Sequence, residues 1–160
     1  MMYFTLGKNE QLNDILNRIG AKLQLDKTRK EKVLTSYNTL CNWISADENY
    51  FSKYDLEFYP QGSYKIGTTV KPLRGEEFDL DFVLEIIGTW QKENPMQMIK
   101  YLERRLREHE TYSSMIEVKT RCIRINYANK FHIDILPDFP ENIYSRDNKI
   151  KVPDLVEFKF

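Results

Sequence analysis

The chain has 160 residues, enough for one domain with a buried core, and its 41% apolar and 30% charged residues are ordinary for a globular protein. Its 24 basic and 24 acidic residues cancel, which argues against a protein that holds long nucleic acid by bulk charge. Neither a signal-peptide pattern nor a run of membrane-spanning length is present, so we expect a cytoplasmic protein with no membrane partner.

The first third of the chain is predicted to be helical. Apolar residues recur at helical spacing over residues 8–25 and again from Thr28 to about residue 46. Thr28 and Glu31 form a capping-box pattern at the start of the second helix. Both apolar stripes are expected to pack onto a sheet. The stripe of the first helix consists of Leu12, Ile15, Leu16, Ile19 and Leu23.

Alternating apolar residues predict strands in the rest of the chain. They cover residues 55–60, residues 78–87 and, as a β-hairpin, residues 115–136. A turn over residues 61–67 and a loop follow the first strand. A third helix is predicted over residues 95–109, between the second strand and the hairpin.

Two groups of residues receive structural interpretations. Cys41 and Cys122 lie far apart without the spacing of a zinc site; a disulfide stays open, and reduced core thiols are the simpler interpretation. Arg104, Arg105 and Arg107 on the third helix could form a phosphate-binding patch, but a solvated helix face is favoured.

Asp79 and Asp81 stand at the start of the second strand. Residues two apart on a strand share a face, so these carboxylates project together while Leu80 faces a core. Two adjacent carboxylates repel each other unless a cation lies between them, and Mg²⁺ prefers oxygen ligands. A solvated strand edge is the alternative for an isolated Asp-x-Asp.

Gly62-Ser63 lies in the turn before this strand. Glycine lets a backbone approach a phosphate closely, and a serine hydroxyl can donate to its oxygens. Taken alone, the pair would indicate only a turn.

Asp134 lies within the last predicted strand, between Ile133 and Ile135 and before Pro137, which is expected to end it. The aspartate is either a satisfied or edge-exposed acid, or a third metal ligand that meets Asp79 and Asp81 across neighbouring strands. His132 shares its face and is expected to be structural or supporting rather than a metal ligand.

These motifs together resemble the polymerase-β-like nucleotidyltransferase superfamily. Residues 59–72, 77–84 and 131–137 look like those of the bacterial CD-NTases, relatives of cyclic GMP–AMP synthase and the oligoadenylate synthetases. The resemblance covers about residues 8–153. It implies an α+β fold, a nucleotidyltransferase palm whose mixed or antiparallel sheet packs on N-terminal helices.

The resemblance also implies the chemistry. Asp79, Asp81 and Asp134 would bind two Mg²⁺ ions, with Mn²⁺ as an alternative. Gln61, Gly62 and Ser63 would hold the phosphates of the NTP substrates, ATP, GTP or others. The product would be a cyclic di- or trinucleotide second messenger of anti-phage defence (CBASS), read by a downstream effector.

The expected domain limits follow from the same resemblance. Residues 1–50 would be the N-terminal helices of the catalytic lobe, residues 51–153 the palm, and residues 154–160 the truncated start of a second, helical lobe that is otherwise missing. Two alternatives stay open: a minimal nucleotidyltransferase that modifies a protein or tRNA, and an inactive nucleotide-binding module.

Overall fold

The centre of the fold is a mixed β-sheet with helices on one face. In this computed structural model the described residues are 7–73, 76–87, 95–128, 130–140 and 150–151. The helices are α1 (Lys8–Leu23), α2 (Lys27–Ser45), α3 (Gly62–Lys65) and α4 (Pro95–Arg107). The strands are β1 (Asp55–Pro60), β2 (Phe78–Ile87), β3 (Ile116–Val118), β4 (Ile123–Tyr127), β5 (Phe131–Pro140) and β6 (Ile150–Lys151).

The strands are arranged in the order β1-β2-β5-β4-β3, and β6 pairs with the end of β5. The central pair, β2 and β5, is parallel, while the other pairs are antiparallel. The expected α+β fold with a mixed sheet is therefore confirmed. Of the expected domain limits, the segment 154–160 lies outside the described residues.

One face of the sheet is buried and the other carries the polar residues. Alternation along β2, β4 and β5 sends every second side chain into a core shared with α2 and α4. The buried side chains of this layer are Leu80, Phe82, Leu84, Ile86, Ile123, Ile125, Ile133 and Ile135. The opposite face holds the carboxylates that the sequence singled out.

The cap of α2 differs from the expected one. The helix begins at Lys27, one residue before the predicted capping box, and the Asp26 side chain accepts a hydrogen bond of 2.9 Å from the Arg29 amide. The prediction that Thr28 and Glu31 cap this helix is wrong, because aspartate caps a helix as well as threonine and stands nearer to its start.

The predicted packing of α1 is also wrong for the described residues. The helix forms where its pattern indicates, but none of its residues is buried, and the apolar stripe from Leu12 to Leu23 is about half exposed. Its C-terminal end is tied down by the backbone, where the Lys71 amide donates to the Leu23 carbonyl. Amphipathic spacing therefore predicted the helix correctly but did not predict whether its apolar stripe is buried.

The arginines of α4 join this helix to α2. Arg105 is buried, its guanidinium stacks on the Trp43 ring at 3.8 Å, and it donates to the Trp43 carbonyl. Arg104 reaches the fully buried side chain of Asp47 at 3.0 Å. Only Arg107, paired with Glu103, is exposed. The expected solvated face is thus wrong for Arg105, and these contacts argue for structural roles.

The prediction that Pro137 ends the last strand is wrong. β5 continues through Pro137 to Pro140, since β4 pairs with β5 only as far as Ile135 and the proline interrupts no ladder on that side. Cys41 and Cys122 are free thiols, and burial raises the pKa of each to about 11. Among the described helices, none combines the length and apolar character that crossing a bilayer requires.

Candidate active site

The three acids predicted from the sequence meet on the open face of the sheet. Asp81 of β2 and Asp134 of β5 are directly opposite each other in the parallel pair, and Asp79 lies two residues earlier on the same face. The Asp79 side chain is 63% exposed, whereas that of Asp134 is 16% exposed. Parallel pairing thus joins two motifs that lie about fifty residues apart in the chain.

The environment of Asp81 disfavours its charged form. Its partial burial, and then the charges of Asp134 and Asp79, raise the pKa of its carboxyl above the ordinary value. The site therefore carries negative charge that a cation would relieve.

The Gly62 turn is pressed against Asp81. Gly62 has φ of +58°, and a Cβ on it would lie 2.3 Å from Oδ2 of Asp81, so only glycine fits there without a shift. The amide of Gln61 donates to the Asp81 carbonyl at 2.7 Å. The predicted turn contains the short helix α3, and its start is fixed to the strand that carries the acids.

Ser63 is held by two threonines that follow the turn. The amides of Thr68 and Thr69 donate to the Ser63 carbonyl at 2.8 and 3.2 Å. The hydroxyls of Ser63 and Thr69 share a hydrogen bond of 2.9 Å. The segment thus wraps around Ser63 and fixes the direction of its hydroxyl.

His132 contacts Asp79, and its assignment as a structural or supporting residue rather than a metal ligand stays a prediction. It is the residue opposite Asp79 in the β2–β5 pair, and its Nε2 lies 2.6 Å from Oδ1 of that aspartate. On its other side, Nδ1 lies 3.6 Å from a carboxylate oxygen of Glu77. The buried imidazole therefore lies between two acids at the start of β2.

Arg124 holds Asp134 from the other neighbouring strand. It is opposite Asp134 in the antiparallel β4–β5 pair, and its Nε and a terminal nitrogen donate to the two carboxylate oxygens at 2.8 Å each. This two-pronged, charge-assisted geometry is the strongest form of an arginine–carboxylate contact.

Comparison with known proteins identifies the family of the chain. The family model of the Second Messenger Oligonucleotide or Dinucleotide Synthetase domain matches residues 10–159. The chain belongs to this family. It is 39% identical to a c-di-GMP synthase of Roseivirga ehrenbergii over 91% of this chain and 39% of that protein. It is 31% identical to the cyclic dinucleotide synthase CdnG of Bradyrhizobium diazoefficiens, over 80% of this chain and 30% of that protein.

Two solved structures agree in fold with this chain. The CD-NTase CdnG of Bradyrhizobium diazoefficiens, in complex with GTP, matches with a TM-score of 0.72 and 29% identity, over 91% of this chain and 42% of that chain. The Vibrio cholerae DncV cyclic AMP-GMP synthase, at 16% identity, matches with a TM-score of 0.59 over 84% of this chain and 52% of that chain. The chain spans less than half the length of the curated relatives it matches.

The donor set of the candidate site fits a hard divalent cation. Three carboxylates converge from adjacent strands, and oxygen ligands of this kind suit Mg²⁺. Among the described residues, however, no three acidic, histidine or cysteine side chains form a ready-made metal cluster. Asp79 is turned to His132 and Asp134 to Arg124 instead, so a cation would have to share these acids with the protein's own partners.

The prediction from the sequence missed three residues of the candidate site: Arg124, Glu77 and Thr69. The signal for Arg124 was present: a hairpin that turns at residues 128–130 pairs Tyr127 with Phe131, and counting back along both strands puts Arg124 opposite Asp134. Neither Glu77 nor Thr69 lies in a regular element, so alternation gave no signal for them.

Proposed function

We propose that this chain is the catalytic palm of a Mg²⁺-dependent nucleotidyltransferase that joins NTPs into a cyclic dinucleotide. The observation that carries the proposal is the meeting of Asp79, Asp81 and Asp134 on one sheet face, with the Gly62 turn packed against Asp81. Membership in the second-messenger synthetase family supports the same reaction class.

The site residues have different roles in this proposal. Asp79, Asp81 and Asp134 hold the metal. Ser63, with the backbone of Gly62 and Gln61, binds the terminal phosphates of the nucleotide. When bound, two Mg²⁺ ions would stabilise the charge on the attacking and leaving oxygens at the α-phosphate. The chain itself supplies positioning, which is the larger part of catalysis in phosphoryl transfer.

GTP is the first substrate to test. One relative is named a c-di-GMP synthase, and the CdnG structure contains GTP. We extend the proposal to a cyclic dinucleotide second messenger, recognised by a downstream effector in anti-phage defence. ATP is the natural competitor, since DncV is named a cyclic AMP-GMP synthase.

Calorimetric titration of GTP and ATP, with Mg²⁺ and with EDTA, tests the palm. We expect binding to the wild-type chain that needs Mg²⁺ and disappears in the double variant Asp79→Asn/Asp81→Asn. Asp55→Asn is the matched control, because Asp55 is an exposed carboxylate at the far end of β1, opposite Ile87 rather than the acid cluster. Nucleotide binding that survives loss of both acids, or that needs no metal, would contradict the proposed function.

A further inference from the structure

The positively charged side chain of Arg124 lies beside the acid cluster, which consists of Asp79, Asp81 and Asp134. Across three neighbouring strands, Arg124, Asp134 and Asp81 lie in one row of directly opposed residues. The arginine side chain is 26% exposed and the Asp134 side chain 16%, so this ion pair is partly buried. Shielded charges interact more strongly than exposed ones and depend more on their partner.

The two-pronged contact occupies both oxygens of Asp134 but does not saturate them. Each carboxylate oxygen has about two acceptor positions, and Arg124 uses one on each. A metal ion could still bind on the side that faces Asp81, but it would do so next to a fixed positive charge. The arginine must therefore reduce the attraction of the site for a metal.

The same arginine explains why the metal-free sheet tolerates three acids together. Without it, Asp134 and Asp81 would face each other in adjacent strands with no cation on the same row. Like charges directly opposite one another destabilise a sheet.

We propose that Arg124 is a built-in counterion of the acid cluster, which stabilises the metal-free palm and weakens the binding of divalent cations. This inference rests on the proposed function in one respect, that the three acids are the metal site. Arg124 is then a positioning residue for Asp134 that competes electrostatically with the metal.

Thermal unfolding with Mg²⁺ alone, without nucleotide, tests this role. Arg124→Met keeps the apolar stem and removes the charge. We expect its Tm in EDTA to fall by several degrees, and the loss to be recovered as Mg²⁺ is added. The Mg²⁺ concentration at half-response should be lower than in the wild type, on the order of tenfold.

Two further variants separate charge from packing. Arg124→Lys keeps the positive charge without the fork, so its Mg²⁺ midpoint should stay close to that of the wild type. Arg107→Met removes an arginine from an exposed ion pair with Glu103 on α4 and should leave the Mg²⁺ response unchanged.

A purely structural role for Arg124 would lower Tm equally with and without Mg²⁺, and that result would overturn the proposal. So would a higher Mg²⁺ midpoint in Arg124→Met. If this variant does not fold in EDTA, circular dichroism after refolding in Mg²⁺ decides: recovery of the folded signal supports the proposal and failure to recover overturns it. Nucleotide binding by the wild type is measured separately, so the proposed function and this inference can fail independently.

Discussion

The close approach of the Gly62 turn to Asp81 can be tested with two glycines that both have positive φ. Gly62 and Gly67 both have positive φ, +58° and +72°. A Cβ on Gly67 would meet nothing within 4 Å, whereas a Cβ on Gly62 would lie 2.3 Å from Oδ2 of Asp81. Gly67→Ala therefore measures the cost of the backbone conformation alone, and Gly62→Ala measures that cost plus a steric clash.

The two costs differ enough to be resolved. A non-glycine residue in the left-handed region costs about 1–2 kcal/mol. Forcing an extra methyl group into a packed site costs about 1–3 kcal/mol more. In a chain of this size, each kcal/mol lowers Tm by about 2–4 °C. We expect a modest fall for Gly67→Ala and a fall about twice as large for Gly62→Ala.

Chemical denaturation measures both free energies of unfolding, and a double-mutant cycle identifies the clash. Asp81→Ala removes the oxygen and carbon that the new methyl group would meet, so in that background Gly62→Ala should cost no more than Gly67→Ala. Calorimetry should show metal-dependent nucleotide binding retained by Gly67→Ala and lost by Gly62→Ala. Equal losses of stability for the two single variants would refute the close packing of the turn on Asp81.

The remaining predictions concern charge and hydrogen bonding. Asp81→Asn should raise the metal-free stability at pH 7 by about 1 kcal/mol, because a carboxyl with a raised pKa opposes folding once it ionises. When Tm is measured over a range of pH, this gain should vanish below about pH 4. Asp47→Asn should cost about 1–3 kcal/mol in urea unfolding, since it removes the charge that accepts hydrogen bonds from Arg104 and from the Tyr50 and Phe51 amides, while Arg104 keeps its partner Glu108. Burial opposes the ionisation of Asp47, but hydrogen bonds from the Phe51 and Tyr50 amides and from Arg104 lower its pKa. The contribution of Asp47 to folding stability is therefore complete above about pH 4 and is lost as the pH falls further. A plot of Tm against pH for Asp47→Asn that is as steep in this range as that of the wild type would contradict this. Thr69→Val should weaken nucleotide binding by about 2- to 10-fold, because it removes the hydrogen bond that orients the Ser63 hydroxyl, and Thr69→Ser should restore affinity. Thr68→Val is the control, since that exposed hydroxyl lies 3.5 Å from the Ser63 carbonyl, and an equal loss in both valine variants would disprove the role of Thr69.

Local pattern was sufficient for much of the fold and for the identity of the acids. The alternation from Phe78 to Ile87 predicted β2 with its observed limits, and it placed Asp79 and Asp81 together on the face away from the core. These predictions depend only on the geometry of one strand, in which neighbouring side chains point to opposite faces. The family and its fold were implied by a resemblance that also needed Gly62-Ser63 and Asp134.

Predictions that depended on contacts with distant parts of the chain were less reliable. The stripe of α1 predicted the helix but not its exposed state, because amphipathic spacing does not say which surface will cover it. The basic residues of α4 looked solvated, yet Arg105 lies buried against Trp43, a residue more than sixty positions earlier in the chain.

The meeting of the site residues was decided by the tertiary structure. The β4–β5 hairpin could in principle be counted back to pair Arg124 with Asp134, because a turn fixes the register of its two strands. No local rule fixes the parallel register that sets Asp81 opposite Asp134, since these strands are joined through a helix and two further strands. The sequence by itself therefore determined which residues carry the charge. Only the packed sheet determined that Asp81 lies between the Gly62 turn and Asp134, with Arg124 as the neighbour of that last acid.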